Sequence, residues 1–120
     1  MSLKTAAVHH HRAMDLASEA WVLSQGCKRP GRVHRDRIRG LNAAAAAAEA
    51  EALAEIRANV QPTWAVLATS LAWLWQHAGE PDKAAIVARR VLENAGIHRH
   101  FLDNMKDLLC RLRRKPKGQR

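Results

Sequence analysis

The sequence predicts an all-α protein, a small antiparallel bundle of four or five helices, on three observations. Glycine and proline are few, 6 and 4 of 120 residues, which argues against a loop-rich β fold and against a wholly disordered chain. Tyrosine is absent, phenylalanine occurs once and runs of Val or Ile are scarce, so the residues that favour strands are largely missing. Between the glycine and proline breaks, apolar residues recur at three- and four-residue spacing, the pattern of helices that bury one face. With 48% hydrophobic residues the chain can close one core. The expected organisation is a single helical domain over residues 1–115 and a mobile basic tail over 116–120.

The first helix is predicted from about Thr5 to Leu23, with Met14, Ala17 and Trp21 on its stripe and Ala13, Leu16 and Ala20 beside them. Thr5 is a candidate N-cap and Gly26 a stop. The stretch from Cys27 to Gly40 reads as a loop or as a short helix between Arg32 and Arg39, because Pro30 and two glycines blur its ends. A long helix should then span Leu41 to Asn59. Its unbroken run Ala43–Ala48 supplies helix propensity without bulk, and its thin face of Ala45, Ala48, Ala52, Leu53, Ile56 and Val60 suits a closely approaching neighbour.

Pro62 fits the first position of a third helix, whose missing N–H costs nothing there. Trp64, Leu67, Leu71 and Trp75 mark one face of it and Val66 and Trp73 another, so this helix belongs at the centre of the fold or against a partner. Gly79 ends it. Pro81 opens a fourth helix striped by Ala84, Val87, Ala88, Val91 and Ala95. The last helix, from near Ile97, repeats Ile97, Phe101, Met105, Leu108 and Leu112, and Pro116 stops it. The expected core is Trp21, Trp64, Leu67, Leu71, Trp75, Val91, Phe101, Met105 and Leu108.

The hairpin around Gly79, about residues 64–95, resembles a single tetratricopeptide-repeat unit. Leu71 and Ala72 stand at that family's Leu-Gly pair, Trp75 at an aromatic position, Gly79 at the turn glycine and Ala84 at the small residue where the helices cross. Ala88 replaces the family's large aromatic, Val91 its later alanine, and no second copy follows. The resemblance therefore implies two helices folded back on each other, not a repeat array with a peptide groove, because an array needs about three units to bury its faces.

The charge points outward. Lys+Arg number 20 against 11 Asp+Glu, a formal net charge of +9. Six of these bases, Lys28, Arg29, Arg32, Arg35, Arg37 and Arg39, lie within twelve residues, and six more, Arg111, Arg113, Arg114, Lys115, Lys117 and Arg120, lie in the last ten. From Gly40 to Ala88 the balance reverses, two bases against five acids. Arginine outnumbers lysine 14 to 6, and its guanidinium fork meets phosphate bidentately. Two concentrated patches around an acidic-to-neutral body predict a directional polyanion site of backbone-contacting type, for RNA or DNA.

Operator reading is disfavoured, because the helix from Pro81 carries few short polar base readers. Base stacking needs an exposed ring, and Trp73 alone stands off the core stripes. Small, basic, all-helical subunits of ribonucleoprotein complexes, such as the small subunits of CRISPR effector complexes, resemble this chain in size, charge and class. Val66 and Trp73, off-stripe and apolar, are the expected contacts to protein partners. The alternative is a helical adaptor whose basic patches meet an acidic protein surface.

No chemistry of catalysis is legible. His9, His10 and His11 are consecutive and point about 100° apart on a helix, so they cannot share one ion. His100, Asp103 and Asp107 lie within two helical turns, and neighbouring Arg99 and Lys106 explain those acids as surface charge. Two cysteines make neither a disulfide framework nor a zinc set. The most apolar stretch, Trp64 to Trp75, falls short of the roughly 20 residues of a membrane span. The expectation is a cytoplasmic, non-enzymatic protein with no membrane association, cofactor or metal.

Overall fold

The computed structural model describes residues 3–26, 29 and 31–114, Leu3 by its backbone only. The fold is all-helical, with five helices among the described residues: α1 (Leu3–Gln25), α2 (Arg32–Ala54), α3 (Thr63–His77), α4 (Pro81–Glu93) and α5 (Arg99–Arg113). None of these helices is long and apolar enough to cross a membrane. Lys28, Lys115 and Lys117, together with Cys27 and the proposed tail, lie outside the described residues.

α1 and α2 are the longest elements, 23 residues each, and they run in opposite directions. His10 of α1 meets Glu49 of α2, while Leu23 near the end of α1 meets His34 near the start of α2. This register sets Ala6 opposite Ala52, Ala13 opposite Ala45 and Ala20 opposite Ile38. Ala6, Ala13 and Ala20 recur every seven residues, all of them buried, as are Ala45 and Ala52. Methyl groups on both sides let the two backbones approach closely.

α2 departs from expectation at both ends. It begins at Arg32 and passes through Gly40 without a break. A helical glycine costs only about 1 kcal/mol. Packing of this segment on α1 outweighs that: His34 Nε2 donates to the Leu23 carbonyl at 2.9 Å, and Arg37 pairs with Glu19 at 3.6 Å. At its other end α2 stops at Ala54 rather than near Asn59. Ending there lets Ile56 fold back into the core, and Asn94 Nδ2 bonds the Ala58 carbonyl in the turns that follow.

The core proper belongs to α3, α4 and α5, against the α3 side of α2. Trp64, Leu67, Leu71, Val87, Val91, Met105 and Leu108 are buried, with Trp75 and Phe101 packed at its edge. Trp21 is the exception among the expected core residues. It is 64% exposed, because the alanine stripe fixes which face of α1 meets α2, and Trp21 lies about 100° round from Ala20. Pro62 sits just before α3, after a cis Gln61–Pro62 peptide, rather than inside its first turn.

The α3–α4 turn is tight. Gly79 has φ 78°, and its N–H and that of Glu80 bond the carbonyls of Gln76 and Trp75. Those two bonds form a Schellman motif, which needs a left-handed residue at this place. Pro81 then starts α4 at once. α3 and α4 are opposed in direction, since Lys83 lies over the Trp75 ring and Arg90 over the Trp64 ring.

Candidate nucleic-acid interface

The first basic segment forms the opening two turns of α2. Arg32, Arg35 and Arg39 lie within an arc of about 60° on the helix, at i, i+3 and i+7. Arg37 points to the other side, toward Glu19 of α1. All four are exposed, as is Arg29 just ahead of the helix. Arg39 lies against the α3–α4 turn: a β-carbon on Gly79 would come within 3.5 Å of Arg39 Nε. The seven residues of α2 ahead of Arg39 therefore extend about 10 Å beyond the end of α3.

The second basic segment closes α5. Arg111 pairs with Asp107 at 3.1 Å and lies over the Trp73 ring at 5.7 Å, while Arg113 and Arg114 are exposed. Trp73 sits one turn before the end of α3. Both basic segments therefore reach α3 at the same, C-terminal end, although more than seventy residues separate them along the chain. The last carbonyls of α3 carry the negative end of its dipole, which favours Arg39 beside them.

The arginines differ in what holds them. Arg37 and Arg111 are committed to carboxylates, and such exposed pairs are worth about 1 kcal/mol or less. Among the described residues, Arg29, Arg32, Arg113 and Arg114 enter no ion pair. These four are exposed.

Trp73 is not a free ring. Its Nε1–H donates to Asn104 Oδ1 at 2.7 Å, and it packs half-buried between α3 and α5. Val66 is exposed, as its off-stripe position implied. The exposed ring of the molecule is instead Trp21, assigned by spacing to the core. Spacing alone does not separate a stripe of Met14, Ala17 and Trp21 from one of Ala6, Ala13 and Ala20; the contact with α2 does.

Two further contacts escaped the sequence. Glu49 is fully buried between α1 and α2, and His10 Nδ1–H donates to its carboxylate at 2.7 and 3.0 Å. His9 reaches Glu51 at 3.0 Å alongside. Buried carboxylates need such a donor. Every buried side-chain polar atom among the described residues has a hydrogen-bond partner. The acids near His100 are pairwise surface contacts, Asp103 with Arg99 and Asp107 with Arg111, and they do not converge.

Comparison with known protein families, with characterised proteins and with solved structures returned no match.

Proposed function

We propose that this protein is a non-catalytic nucleic-acid-binding subunit, a small antiparallel helical bundle that grips the phosphate backbone with one end. The observation that carries this reading is that Arg39 of the first basic segment and Arg111 of the second each lie against the C-terminal end of α3, with Arg29, Arg32, Arg113 and Arg114 exposed and outside any ion pair among the described residues. Exposed guanidinium groups raise the local potential and supply bidentate donors to phosphate oxygens. Exposed Val66 on α3 and Ile86 on α4 offer apolar surface to other subunits of a larger assembly.

The test is a salt titration of binding to labelled RNA and DNA, for the wild-type protein and for a chain with Arg29, Arg32, Arg113 and Arg114 changed to Gln. The variant should bind on the order of tenfold to a hundredfold more weakly at low salt. The slope of log affinity against log salt should fall by roughly 0.7–0.9 for each phosphate that the variant no longer neutralises. Wild-type binding that ignores both salt and these four charges would overturn the reading and favour a helical adaptor for a protein surface.

A further inference from the structure

We infer that Trp21 is a base-stacking platform, and that the ligand of the basic end is therefore single-stranded nucleic acid. This inference rests on the proposed nucleic-acid reading and adds to it which form of nucleic acid is held. Trp21 lies in the last two turns of α1, 64% exposed, and α1 ends beside the start of α2 through the Leu23–His34 and Glu19–Arg37 contacts. Those two pairs bracket Trp21 and put it level with Arg35 and Asp36.

The side of the hairpin on which Trp21 emerges follows from the His10–Glu49 bond. On α1, His10, Met14, Ala17 and Trp21 form one stripe at four- and three-residue steps. On α2, Glu49, Asn42 and Arg35 form the facing stripe at seven-residue steps. The seam that opens with His10 and Glu49 thus ends with Trp21 and Arg35, and Arg32 and Arg39 lie within about 60° of Arg35 on α2. Along the lower part of this seam Asn42 and Glu49 are buried. Beyond Arg39 α3 has ended, and Trp21 on α1 and Arg32, Arg35 and Arg39 on α2 are all exposed.

An exposed indole beside an arginine-bearing helix has the chemistry of a single-strand site. Bases of a single strand have free faces, which stack on an exposed indole while the adjoining phosphates meet arginine. In a duplex those faces are occupied by neighbouring bases, and the ring gains nothing. The other tryptophans are already engaged: Trp64 and Trp75 pack in or at the core and Trp73 bonds Asn104, each with a cation over its ring.

The experiment compares affinities for a labelled single strand, a duplex of matched length and an abasic single strand, at one fixed salt concentration. Trp21→Ala should lose on the order of tenfold in affinity for the single strand and change duplex affinity by less than about twofold. Trp21→Phe, which keeps a ring, should retain most of the single-strand affinity. It should also lose the quenching of tryptophan fluorescence that a saturating single strand causes in the wild type. The abasic strand should bind the wild type no better than the intact strand binds Trp21→Ala. Unchanged single-strand affinity in Trp21→Ala, or an equal loss on strand and duplex, overturns the inference. If the four-arginine variant still loses binding in that case, the basic-end reading stands and only the stacking falls. If the arginine variant binds normally, the basic-end reading itself fails.

Discussion

The α1–α2 hairpin and the α3–α5 unit solve the same packing problem with different materials. The hairpin is joined by methyl groups, Ala6, Ala13 and Ala20 against Ala45 and Ala52, and it buries length rather than bulk. The α3–α5 unit buries Trp64, Leu71, Val91, Met105 and Leu108, large side chains that interlock. A seam of small residues tolerates no added volume, whereas a core of large residues tolerates no removal. The difference also explains where function can sit. An alanine seam leaves the large residues of its helices free to point outward, and Trp21 does so.

Three substitutions sharpen this contrast, taken from the largest effect to the smallest. Leu108→Ala, at a fully buried site where α5 joins the core, should lower the free energy of unfolding by about 2–5 kcal/mol in denaturant titration. Ala13→Leu should cost about 1–3 kcal/mol in the same measurement, by forcing α1 from α2. The volume change has the opposite sign at the two sites: if Ala13→Leu proved neutral, the hairpin would not be a close-packed seam. Gly40→Ala should raise stability by about 0.5–1 kcal/mol, because α2 is continuous there and open space surrounds the position. A loss of stability at Gly40 would return that position to a break between two helices.

Much of the fold was legible in the residues themselves. The Pro81 start, the Gly79 stop and the stripes of α3, α4 and α5 rest on local chemistry that needs no knowledge of neighbours, and the expected Pro62 start is off by one residue. The failures came where tertiary contact decides. Gly40 reads as punctuation locally, yet the His34 and Arg37 contacts to α1 carry the helix through it. Trp21 reads as core because it shares a spacing with Met14 and Ala17, and only the register with α2 turns it outward. Of the candidate interface, the two charge clusters were visible as counts. The approach of Arg39 and Arg111 to one end of α3 was not, because it depends on the directions of the helices between them.

That approach has a thermodynamic consequence. In the unfolded chain the two arginine clusters are far apart and screened, whereas the native fold brings Arg39 and Arg111 to the same end of α3. Folding therefore works against electrostatic repulsion, a cost that falls as ionic strength rises. Under the proposed function, a polyanion that binds the native state alone would offset this cost and add its own binding free energy, linking occupancy to fold stability by mass action. On that reading the basic end would be a conditional element of the fold, least stable when empty and most stable when its charges are matched.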